Sequence, residues 1–215
     1  MALRYVLWDN DGVLVDSEGG YYEATRRALA ECGIELERDH YHTLRAAGGS
    51  AWQLPQVRRL GAAAIEQQRA KRDAYYQQFI QGAPCEIPGV RAVLDALAPK
   101  YRMAIVTTSL RRNFELLHAG GALTRHMEFV LTREDFVAGK PAPDGYLAAL
   151  ERLHAHADEA VVVEDSAQGL SAARAAGIRC VIVRNGFFGD AHAFDGAAAV
   201  LESVDALPTV LERFE

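Results

Sequence analysis

The sequence predicts an α/β protein: a parallel sheet covered by helices on both faces, with a small all-helical domain inserted after the first strand. Three observations carry that expectation. Short apolar runs recur at residues 4–8, 102–106, 129–132, 160–163 and 179–183. Helical stretches separate most of them. The region from about residue 18 to residue 81 holds no strand-like run at all. Short apolar runs bounded by turn signals suit strands buried on both faces. Strand and helix in alternation imply parallel pairing.

The elements have readable ends. Pro88 and Gly89 open a helix whose apolar stripe is Val90, Val93, Leu94 and Leu97. Asp144 is placed to cap a helix carrying Tyr146, Leu147, Leu150 and Leu153. Ser166 is placed to cap a helix that runs to Ala176, with Gly177 as its permissive C-terminal residue. In the insert, helices are expected over residues 22–32, 52–60 and 62–80, with a break at Gly48 and Gly49. Pro84, Pro88 and Gly89 mark the return to alternation. The domains are therefore drawn as 1–16 with 83–215 for the core and 17–82 for the helical insert, with hinges near residues 15–20 and 82–88.

Composition narrows the function. The chain has 215 residues and a formal net charge of -6, which argues against a nucleic-acid binder needing a basic face. Cys32, Cys85 and Cys180 are odd in number and lie in no metal-ligand spacing, so they read as free thiols of a reducing compartment. No apolar run reaches the length of a membrane span, and residues 1–4 lead straight into the first strand. A cytoplasmic protein is expected, with no membrane partner, acting as a monomer or homodimer.

In parallel sheets ligands gather at the carboxyl ends of strands. The residues there are Asp9, Asn10 and Asp11 after the first run, Thr107, Thr108 and Ser109 after the second, and Glu164 and Asp165 after the fourth. Lys140 stands in the loop Gly139-Lys140-Pro141-Ala142-Pro143. Crowded carboxylates repel one another, and a divalent cation relieves the repulsion. Oxygen ligands without a Cys/His cluster favour Mg²⁺ over zinc. A lysine, hydroxyls and backbone N–H groups beside such a cation are what phosphoryl transfer needs. Each element alone has a plainer reading: a polar turn, a helix cap, a solvated loop lysine. Their order, each at a strand end or in a neighbouring loop, sets those readings aside. The Asp9 loop lacks the further acidic positions of a calcium loop, and no Gly-x-Gly-x-x-Gly turn of a dinucleotide enzyme follows the first strand.

Four motifs together resemble the haloacid dehalogenase-like hydrolase superfamily, in its capped branch of phosphatases and β-phosphoglucomutase-like enzymes. They are Asp9-Asn10-Asp11-Gly12-Val13-Leu14-Val15-Asp16-Ser17, Val106-Thr107-Thr108-Ser109, Gly139-Lys140-Pro141-Ala142-Pro143-Asp144 and Val162-Val163-Glu164-Asp165-Ser166. The resemblance spans Val6 to about residue 185 and is weak within the cap. It implies a Rossmann-like core and a small phosphorylated metabolite as partner, a sugar phosphate or phosphoglycolate-like compound. It also implies roles. Asp9 would be the nucleophile that becomes an aspartyl-phosphate, and Asp11 the acid and base. Thr107 and the Thr108 backbone would hold phosphoryl oxygens, and Lys140 would steady the charge. Mg²⁺ would be held by Asp9, the Asp11 carbonyl and Asp165, with Glu164 direct or through water.

The same resemblance separates the reactions. Dehalogenases need neither Asp11 as acid/base nor Mg²⁺. β-Phosphoglucomutases carry a histidine where this chain has Tyr21, and basic residues where Ala47 and Ala51 flank Gly48-Gly49-Ser50. A non-catalytic relative would have lost Asp9, Asp11 or Lys140. Hydrolysis of a phosphomonoester is the expectation, with a phosphomutase as the alternative. Asn10 departs from the branch, where that position is usually apolar; its side chain is expected to point away from the site and bond within the sheet, the alternative being contact with the substrate. In this architecture the cap covers the leaving group and opens and closes over it. Tyr21, Arg45, Trp52, Lys71 and Arg72 are the candidates for specificity, with Arg45 as the foremost substrate-binding candidate.

Overall fold

A computed structural model describes residues 2–46, 49–81, 85–184 and 194–214. Ala47, Gly48 and Pro84, named above, and the bounds 82 and 185 lie outside the described residues. The chain forms two compact units, Met1–Asp16 with Glu86–Glu215, and Ser17–Cys85.

The first unit is built on a six-stranded parallel sheet ordered β3-β2-β1-β4-β5-β6. The strands are β1 (Tyr5–Trp8), β2 (Arg102–Val106), β3 (Met127–Leu131), β4 (Ala160–Glu164), β5 (Arg179–Val183) and β6 (Ala199–Leu201). β1 is central, with Leu7 opposite Ala104 on one side and Val162 on the other. Both faces of β1, β2, β4 and β5 are buried, as their apolar runs demand, while the edge strands β3 and β6 are partly exposed. On one face Tyr5, Leu7, Ala104, Val106, Val162 and Ile182 pack with Tyr146, Leu150, Leu170 and Ala173.

Around the sheet run α5 (Val90–Leu97), α6 (Arg111–Leu117), α7 (Asp144–Leu153), α8 (Ala167–Ala175) and α9 (Leu207–Leu211). The four apolar residues of α5 are all buried. Ser166 caps α8 by accepting from the Gly169 N–H at 3.0 Å, and Gly177 follows in the left-handed region at φ +75°. Asp144 does not cap α7. Pro143 occupies the cap position, Asp144 is the first helical residue, and its Oδ1 accepts instead from the Ala138 N–H at 3.0 Å. The carboxylate thus braces the Lys140 loop. β6 was not expected: three residues at the sheet edge among alanines make no apolar run.

The second unit contains α1 (Glu18–Ala30), α2 (Arg38–Ala46), α3 (Pro55–Arg58) and α4 (Ala62–Ile80). α1 and α4 pack so closely that a Cβ on Gly20 would fall 2.3 Å from Phe79 Cδ1. Tyr21 stacks on Tyr76 with ring centroids 3.8 Å apart. α2 was not expected, because its sequence is mostly polar and offers only Tyr41 and Leu44 as large apolar residues, too few to stand out as a stripe. Residues 52–60 form one 3₁₀ turn and the short α3 rather than a continuous helix, with Pro55 opening the second piece. In the first unit the outgoing and returning chains are tied: Val15 bridges Glu86, and the Ile87 N–H donates to the Leu14 carbonyl at 3.1 Å. No helix among the described residues is long and apolar enough to cross a membrane.

Candidate active site

The sheet changes direction at β1, since β2 and β3 lie on one side and β4 to β6 on the other. The carboxyl end of β1 is therefore the topological switch. Asp9 extends the β1 ladder by donating its N–H to the Val163 carbonyl at 2.9 Å. The chain then turns back at once. The Asn10 carbonyl accepts from the N–H groups of Leu14 and Val15, at 2.9 and 3.1 Å, and Gly12 adopts φ +84°, a conformation that a β-carbon would strain. This tight turn presents Asp9 and Asp11 together.

Lys140 comes to the same point from the loop before α7. Its Nζ lies 2.6 Å from Asp9 Oδ1, 2.6 Å from Glu164 Oε1 and 3.1 Å from the Val106 carbonyl. Glu164, the last residue of β4, is fully buried. Its Oε1 also accepts from the Tyr146 hydroxyl at 2.8 Å. Its Oε2 accepts from the Asp165 N–H at 3.1 Å, the Ser166 hydroxyl at 3.1 Å and the Ser166 N–H at 3.4 Å. Both carboxylate oxygens of Glu164 are thus engaged by protein donors.

Asp11 is held from β2's side. Thr107 Oγ1 donates to its Oδ2 at 3.0 Å and Ser109 Oγ donates to the same oxygen at 2.8 Å. Thr107 Oγ1 in turn accepts from the Ser109 N–H at 3.0 Å, while Thr107 extends its strand through an N–H bond to the Leu131 carbonyl at 2.9 Å. Thr108 is exposed at the end of this strand, and a Cβ on Gly139 would stand 3.3 Å from its Cγ2.

Electrostatics follow from this crowding. Burial, with the charges of Glu164 and Asp11 and against the pull of Lys140, raises the Asp9 carboxyl to about 8. Burial also pushes Glu164 up, but the Lys140 charge and the hydrogen bonds of Lys140, Tyr146 and the Asp165 N–H together hold it below the usual carboxylate range. Burial pulls the Lys140 ammonium down, and the charges of Asp9 and Glu164 more than reverse this. One lysine thus faces more negative charge than it can neutralise. Asp9, Glu164 and Asp165, all buried, each offer an oxygen within 4.8 Å of the others. This buried set of hard oxygen donors fits a divalent cation.

The structure thus brings together Asp9, Asp11, Thr107, Lys140, Glu164 and Asp165. Arg45 lies in the helical unit, where its Nη2 is 3.2 Å from Glu18 Oε1. In the same unit Arg72 pairs with Asp73 at 2.7 Å and stands 5.6 Å from the Tyr21 ring and 5.8 Å from that of Trp52, which is itself buried. Lys71 pairs with Glu31 on the surface. Asn10 is buried and bonds His118 Nε2 at 2.7 Å, so its partner comes from the end of α6 and not from the sheet. Burial, partly offset by Asp11, lowers His118 to about 4, which keeps it neutral near pH 7. The contacts of Tyr146 and His118 at the site were not read from the sequence, and Ser166, expected as a helix cap, also donates to Glu164. Tyr146 lies on the apolar stripe of α7 and reads as core; only the fold shows that its hydroxyl reaches Glu164.

The chain is similar to known proteins in sequence and in structure. The Protein CbbY of a Cupriavidus necator plasmid is 30% identical over 217 residues, covering 93% of this chain and 85% of its own. A phosphoglycolate phosphatase from a plasmid of the same organism is 32% identical, covering 96% and 92%. The crystal structure of CbbY from Rhodobacter sphaeroides in complex with phosphate superposes with a TM-score of 0.79 at 24% identity, covering 98% of this chain and 99% of that one, and so shares its fold. Residues 6–183 match the family described as haloacid dehalogenase-like hydrolase. With most of its length matched and the strand-end carboxylates gathered around Lys140, this chain belongs to the haloacid dehalogenase-like hydrolases.

Proposed function

We propose that this chain is a Mg²⁺-dependent phosphatase hydrolysing a small phosphomonoester, a sugar phosphate or phosphoglycolate-like metabolite, through an aspartyl-phosphate on Asp9. The observation that carries the reading is the contact of Lys140 with Asp9, inside a buried set of carboxylates at the switch point of the sheet. The relatives named a phosphoglycolate phosphatase and CbbY support it.

In the first step a carboxylate oxygen of Asp9 forms a bond to phosphorus as the bond from phosphorus to the leaving alcohol breaks, and Asp11 delivers a proton to that alcohol. In the second, the Asp11 carboxylate takes a proton from water as the water oxygen bonds to phosphorus. The Asp9–phosphorus bond breaks, and inorganic phosphate leaves. Thr107 Oγ1 and the Thr108 N–H would hold phosphoryl oxygens, and Lys140 would balance charge on Asp9 and the phosphoryl group. Bound Mg²⁺ would shield Asp9 from the phosphate it attacks. Asp9, Asp165 and the Asp11 carbonyl would hold it, with Glu164 acting through water because its oxygens are already engaged. Arg45 is the candidate cation for the remainder of the substrate.

The test is phosphate release from p-nitrophenyl phosphate and a panel of small phosphomonoesters. Activity is expected with Mg²⁺ and lost with EDTA or in Asp9→Asn; release that survives both refutes the reading. Phosphorus NMR of the product separates hydrolysis from the mutase alternative, which would yield an isomeric phosphate ester. Tyr21, stacked on Tyr76, stands where that alternative calls for histidine.

A further inference from the structure

Asn10, between the two aspartates, has no solvent exposure. One end of its carboxamide meets His118, and the other, Nδ2, is buried with no hydrogen-bond partner among the described residues. A buried amide donor left unpaired costs about 1–3 kcal/mol. For stability alone, an apolar side chain of similar size would serve better in this place. The bond it does make joins two parts of the site. The main-chain carbonyl of Asn10 closes the turn that presents Asp9 and Asp11, so a force on its side chain acts on that turn. His118 is the C-terminal cap residue of α6, the helix that follows the Thr107–Ser109 segment.

The far end of the tether is itself fixed. The His118 N–H donates to the Phe114 carbonyl at 3.0 Å, and the two rings lie 4.3 Å apart by centroids. Phe114 and Asn113 are buried. The hydroxyls that grip Asp11 come from the start of this same segment, through Thr107 and Ser109. Asp11 is thus constrained twice: by its own carboxylate on the β2 side, and through its neighbour Asn10 by the end of α6.

We infer that Asn10 and His118 are a positioning pair, whose hydrogen bond holds the Asp9–Asp11 turn in the geometry that turnover requires. Neither residue touches the reacting atoms. The inference rests on the hydrolase reading given above. A displacement near 1 Å at a reacting group costs about 10²-fold in rate, so loss of the tether acts on kcat.

The experiment compares wild type, His118→Phe, Asn10→Leu and the double variant, by Mg²⁺-dependent hydrolysis of p-nitrophenyl phosphate and by thermal melting. Each single variant is expected to lose about 10-fold or more in kcat, with KM changed less than about twofold. The double variant should be no slower than the slower single, because one bond is lost once. The double variant should melt no lower than wild type, since the unpaired amide and both partners of the bond are gone, whereas each single variant strands one partner of the bond. Rate and stability would then part company, which a packing role alone does not produce. An unchanged kcat in His118→Phe, rate losses that multiply in the double variant, or rate losses that follow the melting temperature would each overturn the pair and leave the hydrolase reading standing. A wild-type chain releasing no phosphate from any phosphomonoester would overturn both.

Discussion

Lys140 Nζ lies 2.6 Å from Asp9 Oδ1, and both side chains are nearly buried. The same ammonium meets Glu164 at 2.6 Å, so a single cation holds two carboxylates that would otherwise repel. Replacing it with methionine leaves both uncompensated. Lys140→Met is expected to lose about 3–5 kcal/mol of stability, as breaking a buried ion pair does. It should also lose about 10²-fold or more in kcat. Urea unfolding and phosphate-release kinetics measure the two effects. A variant as stable and active as wild type would show that the lysine is a bystander.

Asp11 accepts two hydroxyl donors on one oxygen, and among the described residues the carboxylate cluster around Asp9 is completed by Glu164 and Asp165. Asp11→Asn keeps the backbone carbonyl and the side-chain volume but cannot shuttle a proton. It should slow turnover by about 10²-fold or more while Mg²⁺ binding persists. Calorimetric titration checks the second half: lost binding in this variant would mean that the side chain itself ligates the metal.

The raised Asp9 carboxyl gives a pH signature in the metal-free protein. Its value is 3.8 in the unfolded chain and about 8 in the folded one. Between those values the folded state binds more protons, so stability due to this group is whole below the first and lost as pH rises through the second. In EDTA the melting temperature of wild type should therefore fall relative to that of Asp9→Asn from about pH 5 to about pH 9. Saturating Mg²⁺ should close the gap, because binding favours the folded, ionised form. A difference between the two proteins that is flat across pH would contradict the electrostatic account.

Gly169 in α8 sits against Glu164. A Cβ there would lie 1.8 Å from the Glu164 Cδ and 1.9 Å from its Oε1. Alanine at this position must displace a buried carboxylate that already holds Lys140, Tyr146 and Ser166. Gly169→Ala should cost about 1–3 kcal/mol through overpacking, although alanine is the better helix former. It should also depress phosphate release. Gly19→Ala, where nothing lies within 4 Å of the added carbon, is the control and should leave stability unchanged or raised. Equal behaviour of the two would mean that Glu164 shifts freely.

Much of this was legible along the chain. Asp9, Asp11, Thr107, Lys140, Glu164 and Asp165 each follow an apolar run or stand in a loop beside one, and a strand buried on both faces announces its own end by the first charged residue. Elements without such contrast stayed hidden. α2 carries only Tyr41 and Leu44 as large apolar residues in nine, and β6 has three residues, so neither offers enough apolar positions to establish a period. The Asp144 cap was misplaced because a carboxylate at a helix start can serve either the helix or the preceding loop, and the path of the loop decides which.

The sequence by itself determined the alternation of strands and helices, the helical insert and the residues that carry charge at the strand ends, because those depend on the order of apolar and polar groups over a few residues. Only the tertiary structure decided who holds whom. That Tyr146, a core residue by its spacing, donates to Glu164, that both oxygens of Glu164 are spoken for, and that Asn10 reaches His118 across the chain are outcomes of packing between distant segments. A hydrogen bond depends on tenths of an ångström in three dimensions, and no one-dimensional pattern encodes that distance.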